Sequence, residues 1–506
     1  MTLLIKNVRI SGSENHYEDY VDVFVNNGKI SAIGNFPNKN ADEVVDGLGS
    51  YLCAGFIDVD TDSDHYLSLL NYPAQEDFLR QGVTTIFGGM CGSSLAPLIY
   101  GSLESIQKWG DIRRVNVNWH TVAEFLKIMD KRPLSVNFGT LVGHATIRRA
   151  IVGDALRSLT KNEIAVFSET LKRALKEGAF GMSTGLGYVH GRGTPYEEIR
   201  KFAEVVREYD GVYATHLRQM DKEITAAVDE TIKLVAETGV RTLISHFIPL
   251  RGAEHKYEAA LEKLEKLPPD YNLNFDIYPF DTSVLALYTF LPNWAQNGGE
   301  AIMRKNVNDE WLQPRIEKDF TEINPEEFVV AQAPGHPYLV GKSLRDLMEI
   351  FNLRDFRKTL LKLMAATDLK GIIFYKNINL KLARRAIASS KSFIASNAAS
   401  LREIVGEKIL KPERATSTFT KFLNLVINQK LMPLDEAIAK ITKEPALKFG
   451  LEGRGMLKEG AYADLACFSI KGGKIEIRCT VVNGRVVWQD GKFKEIYPGK
   501  ILRHKA

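Results

Sequence analysis

Apolar positions change their spacing twice along the chain. Over residues 2–35, in LLIKNVRI and VDVFVNNGKISAIG, apolar and polar side chains alternate, the period of a half-buried strand. The Asn27-Gly28 pair is a type I′ hairpin signal. The far end repeats the pattern in ADLACFSI, KIEIRCTVV and GRVVWQDGKF, with Asn483-Gly484 and Asp490-Gly491 at the turns. Between these ends the chain alternates short β-rich runs with amphipathic stretches such as residues 162–176, 195–209 and 224–238. The runs are GFIDVD, TTIFGG, VNFGTLVG, FGMSTG, GVYATH, RTLISH, NLNFDIYP, GIIFYK and SFIASN.

That alternation predicts a parallel sheet in an α/β fold, and eight such repeats close a (β/α)₈ TIM-like barrel. Of the nine candidates GIIFYK is set aside, because a charged helix-like segment follows it rather than a polar strand end. Residues 285–343 break the rhythm with Pro, Trp and Gly-Gly, and read as a lid inserted after the seventh strand. Each β-rich end is too small to bury a core alone, which predicts one small β domain built from both. The expected organisation is residues 55–454 as barrel and 1–54 with 455–506 as the small domain.

Composition narrows the function classes. A chain of 506 residues with formal charge +4 has no electrostatic reason to bind nucleic acid or an anionic membrane. Lys6 and Arg9 interrupt any leader-like apolar start, and no apolar run approaches the roughly 20 residues that span a bilayer. Four scattered cysteines make no disulfide framework, so a reducing cytoplasm is expected.

Barrel chemistry sits at the C-terminal ends of the strands. Polar residues fall there: Asp60 and Asp62, Cys91, His144, His216, His246 and Asn397. Asp58, Asp60 and Asp62 share one strand face, where their repulsion invites a cation or shared protons. Cys91, His216 and His246 are a thiolate and two imidazoles suited to Zn²⁺, with a fourth position for water. Such a centre serves hydrolysis of amides. Asp60 and Asp62 are open to three readings: ligands of a second, harder cation, acceptors of the water's proton, or partners of backbone amides. His144 and Arg148 read as a hydrogen-bonded pair or a substrate contact. Ser183 and Ser245 lack the G-x-S-x-G setting of a nucleophile and read as capping or packing residues.

Nearly end to end, the chain resembles the D-aminoacylase (N-acyl-D-amino-acid amidohydrolase) group of the amidohydrolase superfamily. The resemblance rests on GFIDVDTDSD, QGVTTIFGGMCGSSLAP, LVGHATIRRAIVG, EGAFGMSTGLGY, VYATHLR, GVRTLISHF, FDIYPF, RATSTF and GRGMLKEGAYADLACFS. It implies a zinc-bearing barrel that hydrolyses the amide of N-acyl-D-amino acids, small-molecule substrates, with zinc on Cys91, His216 and His246. It further implies substrate contacts from Tyr188, Ser283 and Arg414. The group's lysine two residues past the second histidine is Ile248 here, with Arg251 nearby. Two departures stand out. The group's His-x-His is Asp60-Thr61-Asp62, and its strand-eight aspartate, a general base, is Asn397, which cannot take a proton from water. Asp60 or Asp62 is therefore the candidate replacement for that base. The alternative is a catalytically silent relative that binds a ligand or partner in the same pocket. Ring opening of the cytosine or hydantoin type is a third reading, opposed by the MCG and GMSTGLGY segments. A second metal and the oligomeric state stay open.

Overall fold

A computed structural model describes every residue except 14–19, 101–102, 104–105, 107–108, 110–111, 113–114, 269, 403–407 and 506. The fold is mixed α/β with several sheets. Parallel pairing begins at Phe56–Asp58 and passes through Val83–Gly88 to Asn137–Thr140. It resumes at Val142–Gly143 and steps through Gly181–Gly185, Val212–His216, Arg241–Ile244 and Leu273–Ile277 to Ser392–Ile394. Beyond that last strand, Ala398 bridges Thr61 in parallel, and the Asn397 amide donates to the Asp60 carbonyl at 2.9 Å. The pairing thus comes back to the segment that follows its starting strand.

Helices pack an apolar stripe against these strands. Lys161–Lys176 starts at a capping box formed by Thr160 and Glu163 and buries Phe167, Leu171, Ala174 and Leu175. Tyr196–Glu208 and Ile224–Thr238 do likewise. Among the described residues no helix is long and apolar enough to cross a membrane.

Both chain ends enter one nine-stranded sheet. Tyr51–Ala54 is its seam, parallel to Thr2–Ile10 and antiparallel to Leu465–Lys471. Asn27 and Gly28 have φ of 49° and 78°, and Asn483 and Gly484 of 47° and 78°, the left-handed pairs a type I′ turn demands. The two tips abut: a Cβ on Gly484 would lie 2.7 Å from the Gly28 Cα.

The run GIIFYK forms Ile372–Tyr375, which pairs antiparallel with Ser283–Ala286 and Phe328–Gln332 in a separate three-stranded sheet. A second hydrophobic cluster, including Leu287, Phe328, Leu344 and Met364, lies over that sheet.

Candidate metal centre and active site

Cys91 follows the strand Val83–Gly88 on a tight turn. Ser183 clamps that turn, accepting from the Gly92 amide at 3.0 Å and donating to the Gly89 carbonyl. His216 ends its strand, and His246 follows Arg241–Ile244 with its amide donating to Asp276 Oδ1 at 2.8 Å. Cys91 Sγ lies 3.2 Å from His246 Nε2, and His216 Nδ1 lies 2.9 Å from the same nitrogen. Among the described residues this is the group of thiol, imidazole and carboxylate donors whose atoms all fall within 4.8 Å of one another. Burial and the nearby Arg414 cation depress the His246 pKa to about 4, so its imidazole is neutral and keeps a lone pair for a metal. One sulfur and two ring nitrogens at such spacing fit a zinc ion. Cys91, His246 and Asn397 have φ of 52°, 37° and 44°, left-handed values uncommon outside glycine that cluster at functional sites.

The aspartates divide into two kinds. Asp58 and Asp60 are fully buried. Burial pushes Asp58 up to about 8; it also raises Asp60 and Asp276, and each of these two is raised further by a neighbouring carboxylate. Asp60 Oδ1 accepts from Asn397 Nδ2 at 3.2 Å, and Asn397 Oδ1 accepts from Arg414 Nη2 at 3.1 Å. Asp62 differs. Burial works to raise its pKa, but the His65 hydrogen bond and the charges of His65 and Arg414 hold it below the ordinary carboxylate value.

Two cavities flank the centre. One, of about 720 Å³ including its open mouth, is lined by Cys91, Tyr188, His190, Tyr288 and Met303. The other, of about 340 Å³, is lined by Asp62, Asn397, Arg414, Gln332 and Phe374. The Tyr188 ring lies 4.6 Å from that of His216. Arg414 is 4% exposed, stands 4.6 Å over the Tyr278 ring, and leaves its Nε without a hydrogen bond. Among the described residues no carboxylate ion-pairs with it. Ser283 Oγ donates to Asn377 Oδ1 at 2.7 Å. Arg251 lines neither cavity; it pairs with Glu327 of the separate sheet region at 2.8 Å. His144 and Arg148 both bond Glu198 Oε1, at 3.3 and 3.2 Å, with His144 packed against Phe167 and Phe202.

The structure thus gathers Cys91, His216, His246, Tyr188, Asp60, Asp62, Asn397 and Arg414 around one centre. Sequence reasoning passed over Tyr278, Asp276 and His65. The first two lie in FDIYPF, and His65 ends the opening aspartate run.

Residues 409–488 match the Amidohydrolase family model. D-aminoacylase of Alcaligenes xylosoxydans xylosoxydans is 28% identical over 507 residues, covering 96% of this chain and 94% of its own. The chain is homologous to D-aminoacylase. N-acyl-D-aspartate deacylase of the same organism is 27% identical, covering 95% of this chain and 91% of its own. N-acyl-D-glutamate deacylase from Bordetella bronchiseptica, solved with zinc and a phosphonate inhibitor, superposes with a TM-score of 0.80 at 24% identity, covering 99% of both chains. A D-aminoacylase crystal structure gives 0.79 at the same identity and coverage. These likenesses establish a shared fold.

Proposed function

We propose that this chain is a zinc-dependent amidohydrolase that cleaves the amide of N-acyl-D-amino acids. The observation that carries the reading is the Cys91–His216–His246 donor trio, in a chain homologous to D-aminoacylase along nearly its whole length. In this reading residues 55–454 are a (β/α)₈ barrel, and 1–54 with 455–506 form a β-sandwich. The insertion expected at 285–343 is a lid, and the antiparallel pairing of Ile372–Tyr375 with Ser283–Ala286 supports extending it that far.

Cys91, His216 and His246 would hold the metal. The chemistry available from Zn²⁺ there is polarisation of the acyl carbonyl and acidification of a water. Arg414 suits the substrate carboxylate: a buried guanidinium with an unsatisfied Nε and, among the described residues, no carboxylate at ion-pair distance is completed by an incoming anion. Tyr188 would flank the acyl group, and Ser283, near Arg414 through Tyr278, the carboxylate end. The pairing of Arg251 with Glu327 supports a tether to the lid instead of a substrate contact. Asn397 cannot accept a proton, and Asp60 is buried against it, so the base role falls to Asp62.

Zinc content by elemental analysis, with hydrolysis of N-acetyl-D-amino acids against their L enantiomers, tests the proposal. About one zinc per chain and D-selective release of amine are expected. Zinc bound with no hydrolysis of any such substrate would favour the silent binding reading, which the asparagine at position 397 keeps in view.

A further inference from the structure

His65 lies between hydrogen-bond acceptors on both sides. Its Nε2 is 3.0 Å from the Ser93 carbonyl, and its Nδ1 is 3.0 Å from Asp62 Oδ1. A carbonyl only accepts, so Nε2 carries a hydrogen. With Asp62 ionised, Nδ1 must carry one too, and the ring is an imidazolium. A neutral ring would turn a lone pair on the carboxylate. Asp64 Oδ2, 3.9 Å from Nε2, adds a second negative charge, while its own contact is the Gly89 amide at 2.7 Å. The ring is 2% exposed, so this cation is balanced by those two carboxylates and not by water. Arg414 and His246 face Asp62 from other elements, and the Tyr66 phenol lies close by. Asp62 Oδ2 has no hydrogen bond among the described residues, and the side chain lines the cavity shared with Asn397 and Arg414.

We infer that His65 is a positioning residue that fixes Asp62 by its Oδ1 and presents Oδ2 to the cavity as the proton acceptor of the hydrolysis. The inference rests on the deacylase reading and supplies the base that Asn397 cannot be. As the water oxygen bonds to the acyl carbon, its proton passes to Asp62 Oδ2. When the C–N bond breaks, that proton goes to the leaving nitrogen, giving a carboxylic acid and a free amine. His65 keeps both N–H groups throughout. The close acid pair also explains the direction at the ring: burial opposes its charge, yet Asp64 and Asp62 raise it to about 9.

Two measurements on the zinc-loaded full chain test this. In ¹⁵N-histidine-labelled protein at pH 7.5, one ring should show both nitrogens protonated, and that signal should vanish in His65→Gln. In kcat/KM against pH, His65→Gln should move the acid limb up by about one unit or more, lowering kcat with KM nearly unchanged. A purely structural role would lower activity without moving the limb. A neutral ring at pH 7.5, or an unmoved limb in an active variant, overturns the inference alone. If His65→Gln does not fold, the native ring spectrum still decides. An imidazolium in a native protein that hydrolyses no N-acyl-D-amino acid sinks the deacylase reading, and the catalytic use of the pair with it.

Discussion

Asn397 Nδ2 donates to Asp60 Oδ1 at 3.2 Å, and the same amide accepts from Arg414 through its oxygen. An amide has one donor end and one acceptor end, and here each meets its complement. Position 397 is therefore matched to position 60: an aspartate at 397 would set carboxylate against carboxylate inside a buried site. Asn397→Asp alone should lower, not raise, hydrolysis and stability. Asp60→His with Asn397→Asp should restore part of the loss, with a coupling of about 1–3 kcal/mol in a double-mutant cycle. Thermal denaturation and kcat/KM of the four proteins measure it; additive effects would remove the pairing.

Cys91→Ala should cut zinc content of the purified protein to a small fraction, since it removes the only anionic donor of the trio. His144→Asn, at a ring bonded to Glu198, should leave zinc content unchanged. Elemental analysis of both variants reads the contrast.

Arg414→Lys keeps the charge but loses the planar fork. KM for N-acyl-D-amino acids should rise about 10-fold or more, from loss of a charge-assisted bond of about 1.5–3 kcal/mol. The matching carboxamides, which bring no anion, should be little affected. Equal effects on both substrates would take the carboxylate away from Arg414.

Asp58 is held protonated by burial, up to about 8. Its folded pKa lies above its unfolded value near 4, so the native state binds the extra proton between those limits. Its contribution to stability is fully present below about pH 4 and is lost as pH rises through about 8. Asp58→Asn should flatten the fall in melting temperature between pH 5 and 8, measured at constant zinc loading. An unchanged pH slope would count against the buried neutral carboxyl.

Local chemistry was readable in the sequence where local chemistry decides. Asn27-Gly28 and Asn483-Gly484 form tight hairpin turns because side-chain-tolerant left-handed backbone is written into two residues. Cys91, His216 and His246 were legible as polar residues closing apolar strands. His65 was not, because its role depends on the Ser93 carbonyl, which a different turn brings to it. The place of Ile372–Tyr375 in a separate antiparallel sheet was equally hidden. A run such as IIFY has the same apolar pattern whether its neighbours lie parallel or antiparallel, and only its pairing with Ser283–Ala286 tells. Arg251 was near the right strand end, but Glu327, 76 positions onward, takes its charge.

The seam at Tyr51–Ala54 also imposes an order on the molecule's history. Its Cys53 thiol meets the Ala466 carbonyl across 413 positions of chain. On a ribosome the N-terminal strands emerge first, and the far edge of this seam waits bare until all the parallel strands have followed. Leu465–Lys471 is then a closing stitch, drawn tight by the last tenth of the polypeptide. Nascent or clipped chains that lack it carry an open strand edge, the template on which sheets aggregate.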